Sequence, residues 1–166
     1  LRLEQTLRRV MIEKFGEDNL KDHFADTRDT LCYATNDNQD ATYELLETDG
    51  LITTERGICI AVMSADCVPI LLFDRRNNVV GAVHSGWRGT VSKILEKTLW
   101  EMHRVFGTRG EDLYAGIGPS VSMESYEVGE EVIEEITRSF RNSDVLTPIK
   151  NNKAKLDLWK ANTIQL

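Results

Sequence analysis

The sequence predicts one α+β domain, and three observations carry that expectation. Two apolar runs, Pro69–Phe73 and Val79–Val83, flank the turn-forming stretch Asp74-Arg75-Arg76-Asn77-Asn78, which reads as an antiparallel hairpin. Elsewhere apolar residues recur at helical spacing, most clearly through Val91, Ile94, Leu95, Thr98, Leu99, Met102 and Phe106. A length of 166 residues suffices for one well-buried core and is short for two, so residues 1–166 are taken as a single domain.

In chain order, Leu3, Leu7, Val10, Met11 and Phe15 line one face of a packing helix that Gly16 stops. Residues 17–43 are polar and aperiodic apart from Leu31-Cys32-Tyr33, a loop with one short strand. Thr48-Asp49-Gly50 reads as a turn before a short apolar segment, and Glu55-Arg56-Gly57 as a second turn. Ile58–Met63 is nearly continuous and β-branched, the pattern of a strand covered on both faces, with Cys59 in the core. Pro69 is expected to interrupt the ladder and bend the chain. In the hairpin that follows, Cys67 precedes the first strand and His84 follows the second, so both lie at the open end, opposite the turn.

His84-Ser85-Gly86-Trp87-Arg88-Gly89 connects a strand to a helix that begins near Thr90 or Ser92 and ends at Gly107. The free N–H groups at that helix start favour an anion. Leu113–Ile117 reads as a strand closing on Gly118-Pro119-Ser120. A helix carries Val132, Ile133, Ile136 and Phe140, and residues 141–155 read as polar loop. Asp157 is a candidate N-cap for a last helix running to Leu166 without a visible end. Because the chain also begins without methionine, it is read as a processed or incomplete record, open at its C-terminus.

Composition narrows the function classes. Apolar residues make up 41% and charged residues 28%, ordinary for a soluble domain. A net charge of −7 argues against a grip on nucleic-acid phosphates. No run approaches the roughly 18 to 20 apolar residues of a membrane span, and Leu1-Arg2-Leu3-Glu4 does not resemble a signal peptide. Cys32, Cys59 and Cys67 contain no C-x-x-C pair and are odd in number, which points to a reduced, cytoplasmic chain. Neither nucleic acid nor a membrane is therefore among the expected partners.

Four ordered motifs carry a family resemblance: Ala65-Asp66-Cys67-Val68-Pro69, His84-Ser85-Gly86-Trp87-Arg88-Gly89-Thr90, Gly116-Ile117-Gly118-Pro119-Ser120 and Tyr126-Glu127-Val128-Gly129. With the minor motifs Thr48-Asp49-Gly50 and Leu156-Asp157-Leu158, they resemble the laccase-domain family, also described as multicopper polyphenol oxidases and as YfiH-like purine nucleoside phosphorylases. The resemblance covers about Glu47 to Leu166. It implies a layered α/β/β/α sandwich with mixed sheets, and a zinc ion held by two histidines and one cysteine. It also implies phosphorolysis of nucleosides such as adenosine, inosine and guanosine, with adenosine deamination. Carried over position by position, Cys67 and His84 match two metal ligands. The third, a histidine in a Gln-x-His strand upstream of Thr48, has no counterpart near Leu31-Cys32-Tyr33, where the only upstream histidine is His23.

Each candidate has a plainer reading. A lone cysteine beside a strand is more often a small hydrophobe, but a thiolate with neutral imidazole is a donor set for zinc, leaving a position for water. Asp66 and Glu127 are candidate acids for a proton shuttle. Arg88, whose fork holds two phosphate oxygens, is the best local phosphate binder, against a purely loop-holding ion pair. Trp87 reads equally as a purine stacking partner and a cap on the core. Ser120 and Tyr126 are substrate-binding candidates on loops, against plain turn chemistry. His103 reads as a helix-flank residue. Two alternatives stand beside the zinc enzyme. One is a copper-dependent polyphenol oxidase, for which three histidines are too few to build a multicopper cluster. The other is a metal-free Cys67–His84 hydrolase or deamidase.

Overall fold

The computed structural model describes residues 30–33, 48–141 and 144–166. The helix expected at Leu3–Phe15, and His23, lie outside the described residues. Five strands form the larger sheet in the order β1-β2-β4-β3-β5: β1 Thr30–Tyr33, β2 Thr48–Thr53, β3 Val68–Asp74, β4 Val79–Ser85 and β5 Leu113–Ile117. β1 pairs parallel with β2, and every other pairing is antiparallel. The fold is the mixed α+β class the sequence predicts.

The hairpin forms as expected, with burial that alternates along β3, while β4, paired on both sides, is buried more continuously. Val68, Ile70, Leu72 and Asp74 of β3 turn inward while Leu71 and Phe73 face out, and Val79, Gly81, Val83 and Ser85 of β4 are buried. Asp74 ties the turn: its Oδ1 accepts from the Arg76 and Asn77 N–H groups at 2.9 and 3.0 Å, and its Oδ2 from Asn77 Nδ2 at 2.9 Å. Pro69 does not break the ladder. It lies within β3 opposite His84, and its carbonyl accepts from Gly118 N–H at 2.8 Å. Its missing N–H faces the side where β5 has already ended at Ile117, so no ladder bond is lost.

Helix α1, Trp87–Val91, starts earlier than expected and is short; Lys93 then adopts a left-handed φ of 63° and α2, Ile94–Phe106, begins. The apolar stripe runs through this break, so periodicity alone reads one helix where there are two. Gly107, at φ 70°, ends α2 and donates to the His103 carbonyl at 2.9 Å. Ile94, Leu95 and Met102 pack with Ile52, Ile70, Val79 and Val83 of the sheet in one continuous core. Ile70 is wholly buried there, so Ile70→Ala should cost about 2–5 kcal/mol of stability. Urea unfolding checks this, and a loss below about 1 kcal/mol would contradict the packing.

Three more departures have physical causes. Asp49 and Gly50 lie inside β2 rather than in a turn, because pairing to β1 on one side and β4 on the other outweighs their turn preference. Ile58–Met63 forms no strand, and Cys59 is exposed rather than core, as is Met63 at 85%. β-branched composition does not make a strand without a partner, and both edges of β2 and of β3 are already taken. In the stretch expected to be loop, β7 Leu146–Pro148 and β8 Ala154–Leu156 form a hairpin whose Asn151 and Asn152 take φ values of 62° and 55°. With β6, Glu127–Val128, they make a second sheet in the order β6-β8-β7.

Helix α3, Glu130–Ser139, turns Ile136 into the core. The last helix, α4, spans Leu158–Thr163, and Asp157 caps it as expected by accepting from Lys160 N–H at 2.9 Å. No helix among the described residues is long and apolar enough to cross a membrane.

Candidate active site

Register decides what meets at the open end of the hairpin. Pro69 stands opposite His84 and Gly50 opposite Val83, so one further step along β2 puts Asp49 opposite His84. The contact is made: His84 Nδ1–H donates to Asp49 Oδ1 at 2.7 Å, with side chains 30% and 29% exposed. A carboxylate accepts only, so it fixes the proton on Nδ1 and leaves the Nε2 lone pair for a metal or a substrate proton. Asp49 is the site residue that sequence reasoning passed over. It was visible as part of an apparent turn and of the minor motif Thr48-Asp49-Gly50, with no role attached, and the strand register brings it to His84.

One step beyond Val68, which pairs with Ser85, Cys67 lies just outside β3, beside Gly86 and near enough to Asp49 to feel its charge. A Cβ on Gly86 would lie 2.9 Å from Cys67 Sγ, so a side chain there would have to displace the thiol. Burial pushes the Cys67 thiol up, and the charges of Asp66 and Asp49 push it the same way. Without a metal the thiol therefore stays protonated at neutral pH. Iodoacetamide labelling of metal-free protein, followed by peptide mass against pH, should reach half-maximal rate above the ordinary cysteine range. Asp66→Asn should move it back down; a midpoint below ordinary cysteine contradicts the reading.

The remaining candidates are placed as follows. Asp66 is exposed, close enough to raise the Cys67 thiol, and its carbonyl accepts from Val121 N–H at 3.0 Å. Tyr126 is half-buried. Burial raises its phenol, as do the charges of Cys67 and Asp66, while Arg88 works against them, so these four side chains share one neighbourhood. Arg88 is exposed in the first turn of α1, with its guanidinium 4.2 Å from the Trp87 ring centroid. Trp87 itself packs against the core, so it serves as a shelf for Arg88 and as core cover together. The Ser120 hydroxyl accepts from Trp159 Nε1 of α4, which occupies it. Glu127 pairs with Lys153 Nζ at 2.5 Å on the second sheet, which weakens its candidacy as a proton shuttle. His103 is exposed on α2 and donates to the Thr108 carbonyl at 2.9 Å.

As a metal centre the described residues supply two donors of the right kind, the Cys67 sulfur and His84 Nε2. Among them no group of three His, Cys, Asp or Glu side chains converges. The backbone of β1, beside β2, lies where the third ligand was expected. The donor chemistry fits zinc, as part of a shell.

A mixed α+β sheet that ends in a thiol, an imidazole oriented by a carboxylate, and a shelved guanidinium defines a protein with an active-site-like constellation at the hairpin mouth. The chain belongs to the multi-copper polyphenol oxidoreductase laccase family, whose sequence profile matches residues 15–166. It is 45% identical over 120 residues to a purine nucleoside phosphorylase of Bacteroides thetaiotaomicron, covering 71% of this chain and 44% of that protein. To adenosine deaminase RL5, from an unknown prokaryotic organism, it is 39% identical over 130 residues, covering 76% and 48%. The crystal structure of YlmD from Geobacillus stearothermophilus superposes with a TM-score of 0.67 at 31% identity, over 70% of this chain and 44% of that one. The chain spans less than half the length of each of these relatives.

Proposed function

We propose that this chain carries the Cys67–His84–Asp49 portion of a zinc-dependent enzyme that phosphorolyses purine nucleosides and deaminates adenosine. The observation that carries the reading is the 2.7 Å Asp49–His84 contact, with the Cys67 thiol near enough to Asp49 to feel its charge. Relatives named purine nucleoside phosphorylase and adenosine deaminase support it. Cys67 and His84 Nε2 would hold the ion, with a further histidine completing the shell. When bound, zinc supplies a Lewis acid and an activated water.

The chain's own residues do the rest. Asp49 keeps the His84 ring in one tautomer and orientation. Arg88, braced on Trp87, offers a planar fork to two oxygens of inorganic phosphate. Asp66, exposed beside the thiol, is the candidate to carry a proton to the departing ammonia in deamination. Tyr126 lines the same space and offers its hydroxyl to the nucleoside. A cytoplasmic setting, which keeps thiols reduced, is part of this reading.

The test uses the full-length, zinc-loaded protein with inosine and phosphate, and with adenosine. Free base with ribose 1-phosphate, and inosine from adenosine, are expected; if no such product forms, the reading fails. Elemental analysis that finds copper in place of zinc would favour the polyphenol oxidase alternative. The metal-free Cys–His hydrolase gains from Asp49, which completes a thiol, imidazole and carboxylate series, but the raised thiol works against it. Full activity after chelation would reinstate it.

A further inference from the structure

We infer that Asn162, on α4, is a positioning residue that sets the Ser85–Thr90 loop, and through it Arg88, against Cys67; the kinetic part of this inference rests on the proposed purine-nucleoside reading. Ser85 Oγ donates to Asn162 Oδ1 at 2.8 Å. Asn162 Nδ2 donates to Thr90 Oγ1 at 3.1 Å and to the Leu158 carbonyl at 2.9 Å. Ser85 Oγ and Thr90 Oγ1 are 3.0 Å apart. Each hydroxyl has one proton, and that of Ser85 is already given to Asn162, so Thr90 donates to Ser85. The bonds close a ring in one direction, Ser85 to Asn162 to Thr90 to Ser85. All three residues are 0% exposed, and Gln165 Nε2 adds a second strap to the Thr90 carbonyl at 3.2 Å.

The ring clamps both ends of one short segment. Ser85 follows His84 directly, Gly86 lies against the Cys67 sulfur, Arg88 projects from the middle, and Thr90 is the far anchor. The clamp comes from the far end of the described chain, 77 residues from Ser85. An apolar trio would fill the same space with no directional demand, and buried polar groups gain little stability over such a filling. What the ring adds is a fixed geometry, which matters where a small displacement of a phosphate-binding group slows turnover.

The experiment compares Asn162→Ala, Thr90→Val, the double variant and Thr90→Ser in the full-length protein. Thr90→Val keeps the shape and removes only the hydroxyl, so it guards against a variant that fails to fold. Readouts are Tm, kcat and KM for phosphate with inosine, and the alkylation rate of Cys67 in metal-free protein, read at its own peptide. Asn162→Ala and Thr90→Val are each expected to lower kcat/KM for phosphate about tenfold per folded molecule. Both should also speed Cys67 alkylation, as Gly86 loosens from the sulfur. The double variant should be no worse than the worse single, because the ring acts as a unit. Thr90→Ser, which restores the hydroxyl, should recover both readouts. Lower Tm with wild-type kcat, KM and alkylation rate would overturn the inference and leave a structural ring. Faster alkylation in the variants of a protein whose wild type turns over no nucleoside would uphold the positioning role and remove the purine reading instead.

Discussion

On the proposed zinc reading, Cys67→Ala is expected to lose the metal and to lower kcat/KM by about 10³-fold or more, the equivalent of about 4 kcal/mol of transition-state stabilisation. The thiol is the one sulfur donor of the proposed shell, and two histidines alone, short of the usual three protein ligands, hold an ion weakly. The fold should survive, because Cys67 is only half-buried and precedes β3, so its loss leaves no core cavity. Metal content per chain by mass spectrometry, phosphorolysis of inosine and circular dichroism check the three statements together. A Cys67→Ala protein that retains stoichiometric zinc and wild-type turnover would place the chemistry elsewhere.

The second large effect is expected at Asp49. Asp49→Ala removes the acceptor from His84 Nδ1 and frees the ring to rotate and to exchange tautomers, with a cost of roughly 10–100-fold in metal affinity or activity. Asp49→Asn keeps an acceptor oxygen within reach but loses the charge, so it should fall between wild type and alanine. Zinc competition titration and kcat/KM on the same preparations distinguish this from a general loss of folding. Equal affinity and activity in all three proteins would show that the 2.7 Å contact does not orient the histidine.

The hairpin was legible in the sequence because two apolar runs and the polar five-residue turn between them are local signals, and the strands form where those runs lie. The strand Leu113–Ile117 and the Asp157 cap were legible for the same reason. What could not be read was anything decided by a distant partner. Asp49-Gly50 carries turn residues, yet two neighbouring strands hold it extended. Ile58–Met63 carries strand residues, yet finds no strand partner among the described residues, and Cys59, Ala61 and Met63 lie exposed. The break at Lys93 is hidden because the apolar stripe of Val91, Ile94 and Leu95 continues across it. In the site, Cys67 and His84 stood out through their motifs, while Asp49 and Asn162 are polar residues whose partners lie 35 and 77 positions away. Spacing along the chain carries no trace of such pairs.

The closeness of Cys67 to Gly86 also makes this sulfur a reporter of assembly. Slipping β3 by one residue against β4 would move Cys67 away from Gly86 and would set a bulkier neighbour in its place. A misregistered chain would therefore hold its thiol in a different setting from the native one. During refolding, the moment at which Cys67 acquires its native labelling rate timestamps the correct closure of the hairpin, separately from collapse of the core.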